Sequence, residues 1–327
     1  MEKTVDLIVP CFNEGEVLEL FHSEVSAVLD GCEGYAFHFI FVNDGSKDQT
    51  LNLLRRFAAE DNRVRYLSLS RNFGKESAML AGMKYSTGDY VGILDADLQH
   101  SPELIPEMLS ALEEGYEIAA ARRVDRSGEG KVKSVFSRAF YKVINRMSDV
   151  DIQDGAQDFR IMKRQVVEAI LSMPEYNRFS KGIFSWVGFR TKWFEHENRE
   201  RAAGSSKWSF AKLFRYALDG IIGFSTAPLK VSLYIGVASS GIGVIYALYI
   251  LIRTLIRGSD VPGYPSIICA IFFFGGLILC SLGVIGEYLA RIYLEVKRRP
   301  IFLVAETNII PAVSYTHLRA HETRHDL

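Results

Sequence analysis

Short apolar runs alternate with amphipathic stretches over the first third of the chain. This alternation predicts strands that are each followed by a helix, and near-continuous apolar strands are typical of a mostly parallel sheet with helices on both faces. We therefore expect an α/β fold, with Asn13 as the cap of the first helix. The predicted strands are Val5–Val9, Phe37–Val42, Val64–Leu69 and Tyr90–Leu94, and the predicted helices are Glu14–Leu29, Ser46–Ala59, Glu76–Tyr85 and one that begins at Ser101.

Two longer apolar runs lie in the last third of the chain. No charged residue occurs from Val231 to Ile252 or from Val261 to Gly286, and each run exceeds the ~20 apolar residues that cross a bilayer. Buried helices of a soluble core are the alternative. Because two runs are joined by a short polar link, we favour a transmembrane hairpin with helices at about 229–253 and 264–290.

Basic residues flank the outer ends of both runs. Cytoplasmic flanks are enriched in Lys and Arg, so both ends of the hairpin are predicted to be cytoplasmic. The chain enters its first strand after Met1-Glu2-Lys3, and we expect no signal peptide and a cytoplasmic N-terminal region. The flanking basic residues are Lys207, Lys212, Arg215 and Lys230 before the first run, and Arg291, Lys297, Arg298 and Arg299 after the second.

Two further segments are both amphipathic and basic, Lys131–Met147 and Phe210–Phe224. Helices of this kind lie in the membrane interface with their basic residues near anionic headgroups. An ordinary surface helix that packs on the sheet is the alternative for each of them. The neighbouring hairpin favours the interfacial interpretation for the second segment.

Composition excludes several classes of function. The chain has 327 residues, and 38 Lys and Arg balance 39 Asp and Glu, so no bulk charge favours nucleic acid. The four cysteines have no Cys-x-x-Cys spacing, and we interpret them as small apolar residues. No Gly-x-Gly-x-x-Gly follows the first strand and no Gly-x-x-x-x-Gly-Lys-[Ser/Thr] occurs, which disfavours a dinucleotide dehydrogenase and a P-loop NTPase.

Three predicted strands end in polar clusters, at Pro10–Glu14, Asn43–Asp48 and Asp95–Gln99. Ligands of such folds bind beyond the carboxyl ends of the strands, so we expect the clusters to converge. One residue separates Asp95 from Asp97, and in an extended segment both carboxylates point the same way. Paired oxygen ligands suit Mg²⁺ or Mn²⁺, which neutralises a diphosphate. For an isolated Asp-x-Asp, a solvated turn is the alternative.

Seven short motifs occur in order between about residue 4 and residue 305. They are Val9–Glu14, Val42–Ser46, Arg71–Lys75, Asp95–Gln99, Gln157–Arg160, Gly204–Lys207 and Gly286–Tyr288. With these motifs the chain resembles family 2 glycosyltransferases of the polyprenyl-phosphate type, a group with dolichol-phosphate mannosyltransferases and bacterial undecaprenyl-phosphate glucosyltransferases. The two spans and the Arg178–Gly182 stretch resemble the bacterial two-span form.

The resemblance implies a GT-A fold, a nucleotide-sugar donor (usually a UDP-sugar) and a polyprenyl phosphate acceptor. It implies Asp97 and Asp95 as ligands of Mg²⁺ or Mn²⁺, and Arg201 and Lys207 as a catalytic cationic clamp on the diphosphate or the acceptor phosphate. Relatives often have two acids where this chain has Asn43 and Asp44. The residues implied in donor binding are Pro10, Phe12, Glu14, Asn43, Asp44, Asp95, Ala96, Gln99 and Arg122.

The resemblance also places Asp158 in the catalytic centre, with several roles open. The acceptor phosphate has a second pKa near ~6 and is already an oxyanion at neutral pH, so a strong general base is unnecessary. Asp158 acts as a base, orients the metal, Arg160 or the sugar, or is merely an acid at a helix start before Met162–Leu171. Glu287 near the end of the second span is either functional or paired with Arg291.

We therefore expect an inverting, metal-dependent transferase that moves a sugar, with glucose first among the candidates, to undecaprenyl phosphate at the cytoplasmic face of the inner membrane. Galactose, N-acetylhexosamine, mannose and an aminoarabinose derivative are the other candidate sugars. A polysaccharide synthase is one alternative, but it would carry more spans and a Gln-x-x-Arg-Trp motif, and neither is found in this sequence. A non-catalytic membrane scaffold built on a decayed transferase is the other alternative. Small residues in the first span (Gly236, Ser239, Ser240, Gly241, Gly243) permit a homo-oligomer.

The predicted organisation has five parts. They are a cytoplasmic glycosyltransferase domain over 1–206, an interfacial helix over 207–228, two transmembrane helices over 229–293, a cytoplasmic segment over 294–313, and a His- and Arg-rich tail over 314–327 that is foreign to the protein.

Overall fold

The computed structural model describes residues 2–123, 153, 155–173, 175–196, 222–257 and 263–309. The strands are β1 (Lys3–Cys11), β2 (Tyr35–Asn43), β3 (Val64–Leu69), β4 (Tyr90–Ile93), β5 (Ile118–Arg123), β6 (Ala156–Lys163), β7 (Thr191–His196) and β8 (Val304–Thr307). The helices are α1 (Leu18–Leu29), α2 (Thr50–Glu60), α3 (Lys75–Tyr85), α4 (Ile105–Glu113), α5 (Arg164–Leu171), α6 (Ser180–Trp186), α7 (Ala227–Arg257) and α8 (Tyr264–Lys297). The amphipathic segment 131–147, most of 210–224 and the tail 314–327 lie outside the described residues.

The strands form one eight-stranded sheet in the order β7-β5-β6-β4-β1-β2-β3-β8. Four of its seven strand pairs are parallel, which confirms the predicted mostly parallel α/β sheet of the GT-A type. The antiparallel pairs are β4 with β6, β5 with β6, and β3 with β8. Nothing in the sequence pattern indicated the direction of β6 or the return of β8 to the sheet.

Alternating side chains of the buried strands supply two apolar cores, one on each face. In β2, Phe39 and Phe41 face the core under α1 and α2, and their rings stack 5.5 Å apart. Ile40 of the same strand faces the other core with residues of α3. A Cβ on Gly82 would lie 2.3 Å from Cγ2 of Ile8, so the glycine lets α3 pack closely on β1. The sheet is thus covered on both faces, as predicted.

The first helix begins later than predicted, and Asn13 does not cap it. Val17 is the N-cap of α1 and makes no side-chain cap hydrogen bond. Asn13 has a left-handed φ of 55°, and its Oδ1 accepts a 2.8 Å hydrogen bond from the Lys47 amide. The prediction was wrong because Asn13 bonds to the loop after β2, a contact between distant parts of the chain that local pattern does not reveal.

Helices α7 and α8 match the predicted hairpin in position. Within them, Ala227–Ile250 and Ala270–Lys297 are long and apolar enough to cross a membrane. Their large apolar side chains are exposed, for example Ile245 at 70% and Phe272 at 76%. An apolar surface of this extent is typical of a segment that is covered by lipid or by another protein.

Both ends of the hairpin contact the sheet domain. The Tyr176 amide donates a 2.8 Å hydrogen bond to Oε1 of Glu295 near the end of α8. Just before α7, the Phe224 ring lies 6.0 Å from the ring of Phe179. Beyond α8 the chain adds β8 to the free edge of β3. The hairpin is therefore attached to the domain at both of its ends.

Asp6 of β1 carries a fully buried carboxylate. Its Oδ2 accepts hydrogen bonds from the amides of Thr87 (2.6 Å) and Gly88 (2.7 Å), and its Oδ1 lies 3.2 Å from Nδ1 of His38. Burial alone would raise the pKa of Asp6, but these hydrogen bonds outweigh burial and hold the pKa below its ordinary value. The ionised Asp6 therefore stabilises the fold above the pKa of the unfolded chain, and this contribution is lost as pH falls through the lower folded value.

We predict that Asp6→Ala destabilises the protein by about 3 kcal/mol at pH 7, because two backbone amides lose their acceptor. The midpoint of thermal unfolding of the detergent-solubilised chain should fall by roughly 6–12 °C. Asp89→Ala is the matched control, since the exposed Asp89 carboxylate also bonds β1, through Thr4 at 2.9 Å. Equal shifts in the two variants would contradict a special contribution from the buried carboxylate.

Candidate active site

The polar loops after β1 and β2 are hydrogen-bonded to one another at the carboxyl edge of the sheet. The Asn13 amide donates to the Ser46 hydroxyl at 2.9 Å, and the Gly15 amide donates to Oδ2 of Asp48 at 3.0 Å. The Glu14 amide donates to the Thr50 hydroxyl at 3.0 Å. These contacts confirm that the first two predicted clusters converge.

Asp44 connects this edge to the loop before α3. Its Oδ1 accepts from the Phe73 amide at 2.7 Å and its Oδ2 accepts from the Gly74 amide at 2.9 Å. Burial raises the pKa of Asp44, and these two amides partly offset that effect. Gly45 has a φ of +65°, and a Cβ there would lie 2.4 Å from the carbonyl carbon of Arg71. The Asn-Asp-Gly-Ser motif thus fixes the loop that leads into Lys75.

Asn43 is also buried and makes contacts within the scaffold. Its Nδ2 donates to the Ser68 hydroxyl at 2.9 Å, and its Oδ1 accepts from the Ser46 amide at 3.1 Å. An amide side chain can donate and accept at once, which an ionised aspartate in this position could not do. The donor-binding roles of Asn43 and Asp44 remain predictions.

Lys75, the first residue of α3, lies between two of the predicted site residues. Its Nζ is 2.6 Å from Oδ1 of Asp95 and 2.5 Å from Oδ2 of Asp158. The antiparallel register pairs Ile93 with Arg160, so two residues further on Asp95 and Asp158 come together. Asp158 lies within β6, and the interpretation of this residue as an acid at a helix start was wrong.

The charges in this cluster shift one another's pKa values. Burial opposes ionisation of Asp95 and Asp158, but the ammonium group of Lys75 outweighs burial and holds the pKa of each carboxyl below its usual range. The Lys75 side chain is partly exposed, and the neighbouring carboxylates of Asp158 and Asp95 raise its pKa well above the ordinary value. All three groups are therefore charged at neutral pH.

Glu76 follows Lys75, and no motif in the sequence singles it out. Its Oε2 accepts hydrogen bonds from the amide (3.1 Å) and the hydroxyl of Ser180 at the start of α6. Burial and then the negative charge of Asp158 raise the pKa of Glu76 to about 7, although Ser180 and Lys75 act in the opposite direction. Lys75 belonged to a recognised motif but had no assigned role. Only the folded chain brings these two residues to the site.

The Asp95–Gln99 segment forms a turn, where the sequence predicted an extended strand end. Leu98 has a left-handed φ of 54°, and Oδ1 of Asp97 accepts from the Gln99 amide at 3.2 Å. Oδ2 of Asp95, the oxygen that does not contact Lys75, lies 3.4 Å from Nε2 of the buried His100. We expected the Asp95 and Asp97 carboxylates to point the same way because they would lie in an extended segment. That reason does not apply, because the strand ends at Ile93.

The carboxylates of this turn fit a divalent cation of a particular kind. Among the residues that the structure describes, no group of three or more His, Cys, Asp or Glu side chains is placed to hold a metal ion. Mg²⁺ characteristically takes one or two carboxylates together with substrate phosphates. Asp97 and Asp95 could supply that number of protein ligands, so the donor set fits a cation that arrives with a diphosphate.

Other predicted donor-binding residues lie at the same edge with different partners. Arg122 at the end of β5 pairs with Glu195 of β7. Pro10 lies opposite Val42 in the parallel register, and Ala96 is buried in the turn. Phe12 and Glu14 are half-buried after β1. Arg201 and Lys207 lie outside the described residues.

Arg160 of β6 contacts α6 and the backbone of its own strand. Its guanidinium lies 3.6 Å from the centre of the Phe184 ring of α6, and its Nη2 donates to the Gln157 carbonyl at 2.6 Å. The residue is buried. Its contacts hold β6 and α6 together, a role that a helix-packing pattern in the sequence would not reveal.

Two family models match the chain, one in the sheet domain and one in the hairpin. Residues 6–171 match the model described as glycosyl transferase family 2. Residues 227–292 match the model described as the GtrB C-terminal hairpin. The first match runs from β1 to the end of α5 and leaves out β7 and β8, and the second includes α7 and most of α8.

Similar proteins match over nearly the whole chain. The Bacillus subtilis (strain 168) protein CsbB is 44% identical over 305 residues, which are 93% of this chain and 92% of that protein. The bactoprenol glucosyl transferase of Shigella phage SfX is 43% identical over 300 residues, 92% of this chain and 98% of that protein. A solved glucosyl-3-phosphoglycerate synthase from Mycobacterium tuberculosis is 19% identical, with a TM-score of 0.46. The similarity covers 67% of this chain and 78% of that one.

We predict that Lys75→Met lowers the midpoint of thermal unfolding by about 5 °C at pH 7 and by less at pH 5. Without the ammonium group, burial and mutual repulsion should raise the pKa values of Asp95 and Asp158 above those of the unfolded chain. Their contribution to stability then falls as pH rises, so the loss should grow from pH 5 to pH 7.

The measurement is thermal unfolding of the detergent-solubilised variant with EDTA at both pH values. Lys192→Met is the control, since Lys192 pairs at 2.8 Å with Glu114, a carboxylate that is more exposed than Asp95 or Asp158. A pH-independent loss in Lys75→Met would show that the variant merely removes packing contacts.

Proposed function

Because this chain belongs to the family 2 glycosyltransferases, we propose that it transfers a sugar from a nucleotide-sugar donor to polyprenyl phosphate at a membrane surface. One observation carries this proposal. The similarity to a bactoprenol glucosyl transferase extends through both the sheet domain and the hairpin, at 98% coverage of that protein. A transferase with a soluble acceptor would have no evident use for the apolar hairpin. The chain is a glycosyltransferase, whereas polyprenyl phosphate as its acceptor and a nucleotide sugar as its donor are proposals.

The acceptor phosphate would act as the nucleophile without help from a strong base. Its second pKa is near ~6, so an oxygen of the monoester is already negative at neutral pH. That oxygen attacks the anomeric carbon, and the bond from this carbon to the diphosphate oxygen breaks. The electron pair leaves with the nucleoside diphosphate. Direct displacement from the opposite face inverts the anomeric centre.

Asp97 and Asp95 are the residues that would hold a divalent cation, Mg²⁺ or Mn²⁺. When bound, such a cation neutralises charge that builds on a departing diphosphate. Asp95 is held by Lys75 at 2.6 Å, and Asp97 by the Gln99 amide at 3.2 Å, so both carboxylates are oriented before the donor arrives. Arg201 and Lys207 are proposed to add positive charge at the same leaving group.

Asp158 would orient groups at the reacting centre and shape its charge. The 2.5 Å contact with Lys75 keeps its pKa low, which makes it a poor proton acceptor at neutral pH. A carboxylate beside the anomeric carbon stabilises positive charge that develops there as the leaving group departs. We therefore favour a positioning and electrostatic role over general base catalysis.

The donor is proposed to be UDP-glucose, and the acceptor undecaprenyl phosphate. The names of several relatives contain glucosyl transferase and bactoprenol, which supports both choices. Arg122, with Pro10, Phe12 and Glu14, is proposed to line the donor pocket. Basic residues at both outer ends of the hairpin support a cytoplasmic orientation of the sheet domain, in a bacterial inner membrane.

The direct test uses the full chain in nanodiscs with undecaprenyl phosphate, Mg²⁺ or Mn²⁺, and a panel of nucleotide sugars. Mass spectrometry of the lipid fraction would identify the product and the donor together. Glucosyl-phospho-undecaprenol from UDP-glucose is the expected product. Metal-dependent UDP binding without a product from any donor would refute the acceptor, and absence of binding would favour a non-catalytic scaffold.

We predict that Asp97→Asn lowers metal-dependent transfer by roughly 10²-fold or more, because the leaving group loses charge stabilisation. The midpoint of thermal unfolding should change little, since Asp97 lies in a loop at the sheet edge. Asp89→Asn, at the opposite end of β4, is the control for a lost carboxylate. A near-normal rate in Asp97→Asn would remove this residue from the ligand set.

For Asp158→Asn we expect kcat to fall by about 10²-fold while the donor KM changes less than about threefold. The interaction we assign to Asp158 strengthens only as charge develops in the transition state, so ground-state donor binding should be largely retained. Initial rates at varied UDP-glucose separate the two constants. An unchanged kcat would place Asp158 outside the reacting centre.

A further inference from the structure

One short stretch of chain, residues 175–184, contacts both the hairpin and Glu76, the residue next to Lys75, and we name it the bridging segment. On its hairpin side, the Tyr176 amide donates to Glu295 of α8 at 2.8 Å. A Cβ on Gly182 would lie 2.6 Å from the Phe224 ring, which packs just before α7 begins. The segment therefore contacts α8 itself and the residues just before α7.

On its other side, the bridging segment is fixed by Glu76. The Ser180 amide and hydroxyl both donate to Oε2 of this carboxylate. Glu76 directly follows Lys75, whose ammonium group holds Asp95 and Asp158. A continuous series of contacts thus runs from the hairpin through Ser180 and Glu76 to the catalytic carboxylates.

A carboxylate at this point is an unfavourable choice for stability alone. Glu76 is largely removed from water and lies near the negative charge of Asp158, which is why its pKa rises to about 7. A neutral side chain would avoid both penalties. Groups that work against local stability and lie beside a reacting centre are candidates for a functional role.

We propose that Glu76 is a positioning residue that, through the bridging segment, sets the height of the catalytic carboxylates above the membrane surface. The inference deepens the proposed function and rests on it. The polyprenyl tail anchors the acceptor in the bilayer, so its phosphate headgroup stays within a narrow range of heights relative to the membrane surface. The site must meet the phosphate within that range, and a misplacement of about 1 Å can cost up to 10²-fold in rate.

The test compares two acceptors of the same chemistry, undecaprenyl phosphate in nanodiscs and a short-chain, water-soluble polyprenyl phosphate. Glu76→Ala should lower the rate with the membrane acceptor by at least about tenfold and with the soluble acceptor by less than about threefold. Glu76→Gln should restore most of the difference, because the amide oxygen of Gln can still accept from Ser180.

Two further variants test the same series of contacts at Ser180 and at Glu295. Ser180→Ala should show a weaker form of the same acceptor-selective loss, because the backbone bond to Glu76 remains. Glu295→Ala, which breaks the hydrogen bond to the Tyr176 amide on the hairpin side, should also reproduce it. Ser172→Ala and Glu107→Gln are the controls. Both residues are exposed, and the Ser172 hydroxyl donates to the Ala169 carbonyl at the end of its own helix.

Equal losses with both acceptors would overturn the proposal, since Glu76 would then support the reacting centre itself. Unchanged rates with both acceptors would overturn it as well. If wild-type protein transfers sugar to neither acceptor, the proposed function fails first. Should Glu76→Ala fail to fold, Glu295→Ala and Ser180→Ala still decide the question.

Discussion

The Lys75 ammonium group between Asp95 and Asp158 is the interaction on which the arrangement of the site depends. It joins three elements that are far apart in sequence: the start of α3, the turn after β4 and the strand β6. Two largely buried carboxylates this close would repel each other, and the lysine replaces that repulsion with attraction on both sides. The Asn-Asp-Gly-Ser motif holds the loop before α3, so the position of the ammonium group is set by the rigid sheet edge.

The mixed topology of the sheet is a condition for this arrangement. Strand β6 lies between β5 and β4 and runs antiparallel to both. Its beginning therefore lies at the edge where β1, β2 and β4 end, and Asp158 reaches Asp95. In a fully parallel sheet a residue at the beginning of β6 would lie at the opposite edge. The direction of one strand thus decides whether the carboxylate of Asp158 can reach Lys75 and Asp95.

Much of the fold follows from local pattern, whereas the site depends on contacts that local pattern does not contain. The apolar runs predict β1 to β4 within a few residues, and the uncharged runs predict α7 and α8. Asn13 was misjudged because its partner, Lys47, is brought near by the parallel register of β1 and β2. Asp95 and Asp97 were expected on an extended strand, but β4 ends at Ile93. Lys75 and Glu76 acquire their roles only when α3 packs on the sheet, so no spacing rule could identify them.

The last strand has a consequence for the order in which the protein is made. Strand β8 covers the edge of β3, and Arg55 and Tyr66 hold its Glu306. An uncovered strand edge offers unpaired backbone groups to other chains. Because β8 follows α8 in the chain, a ribosome completes both hairpin helices before it makes the strand that covers this edge. The edge of β3 is thus covered last, and a chain that stalls before that point would expose an aggregation-prone strand edge.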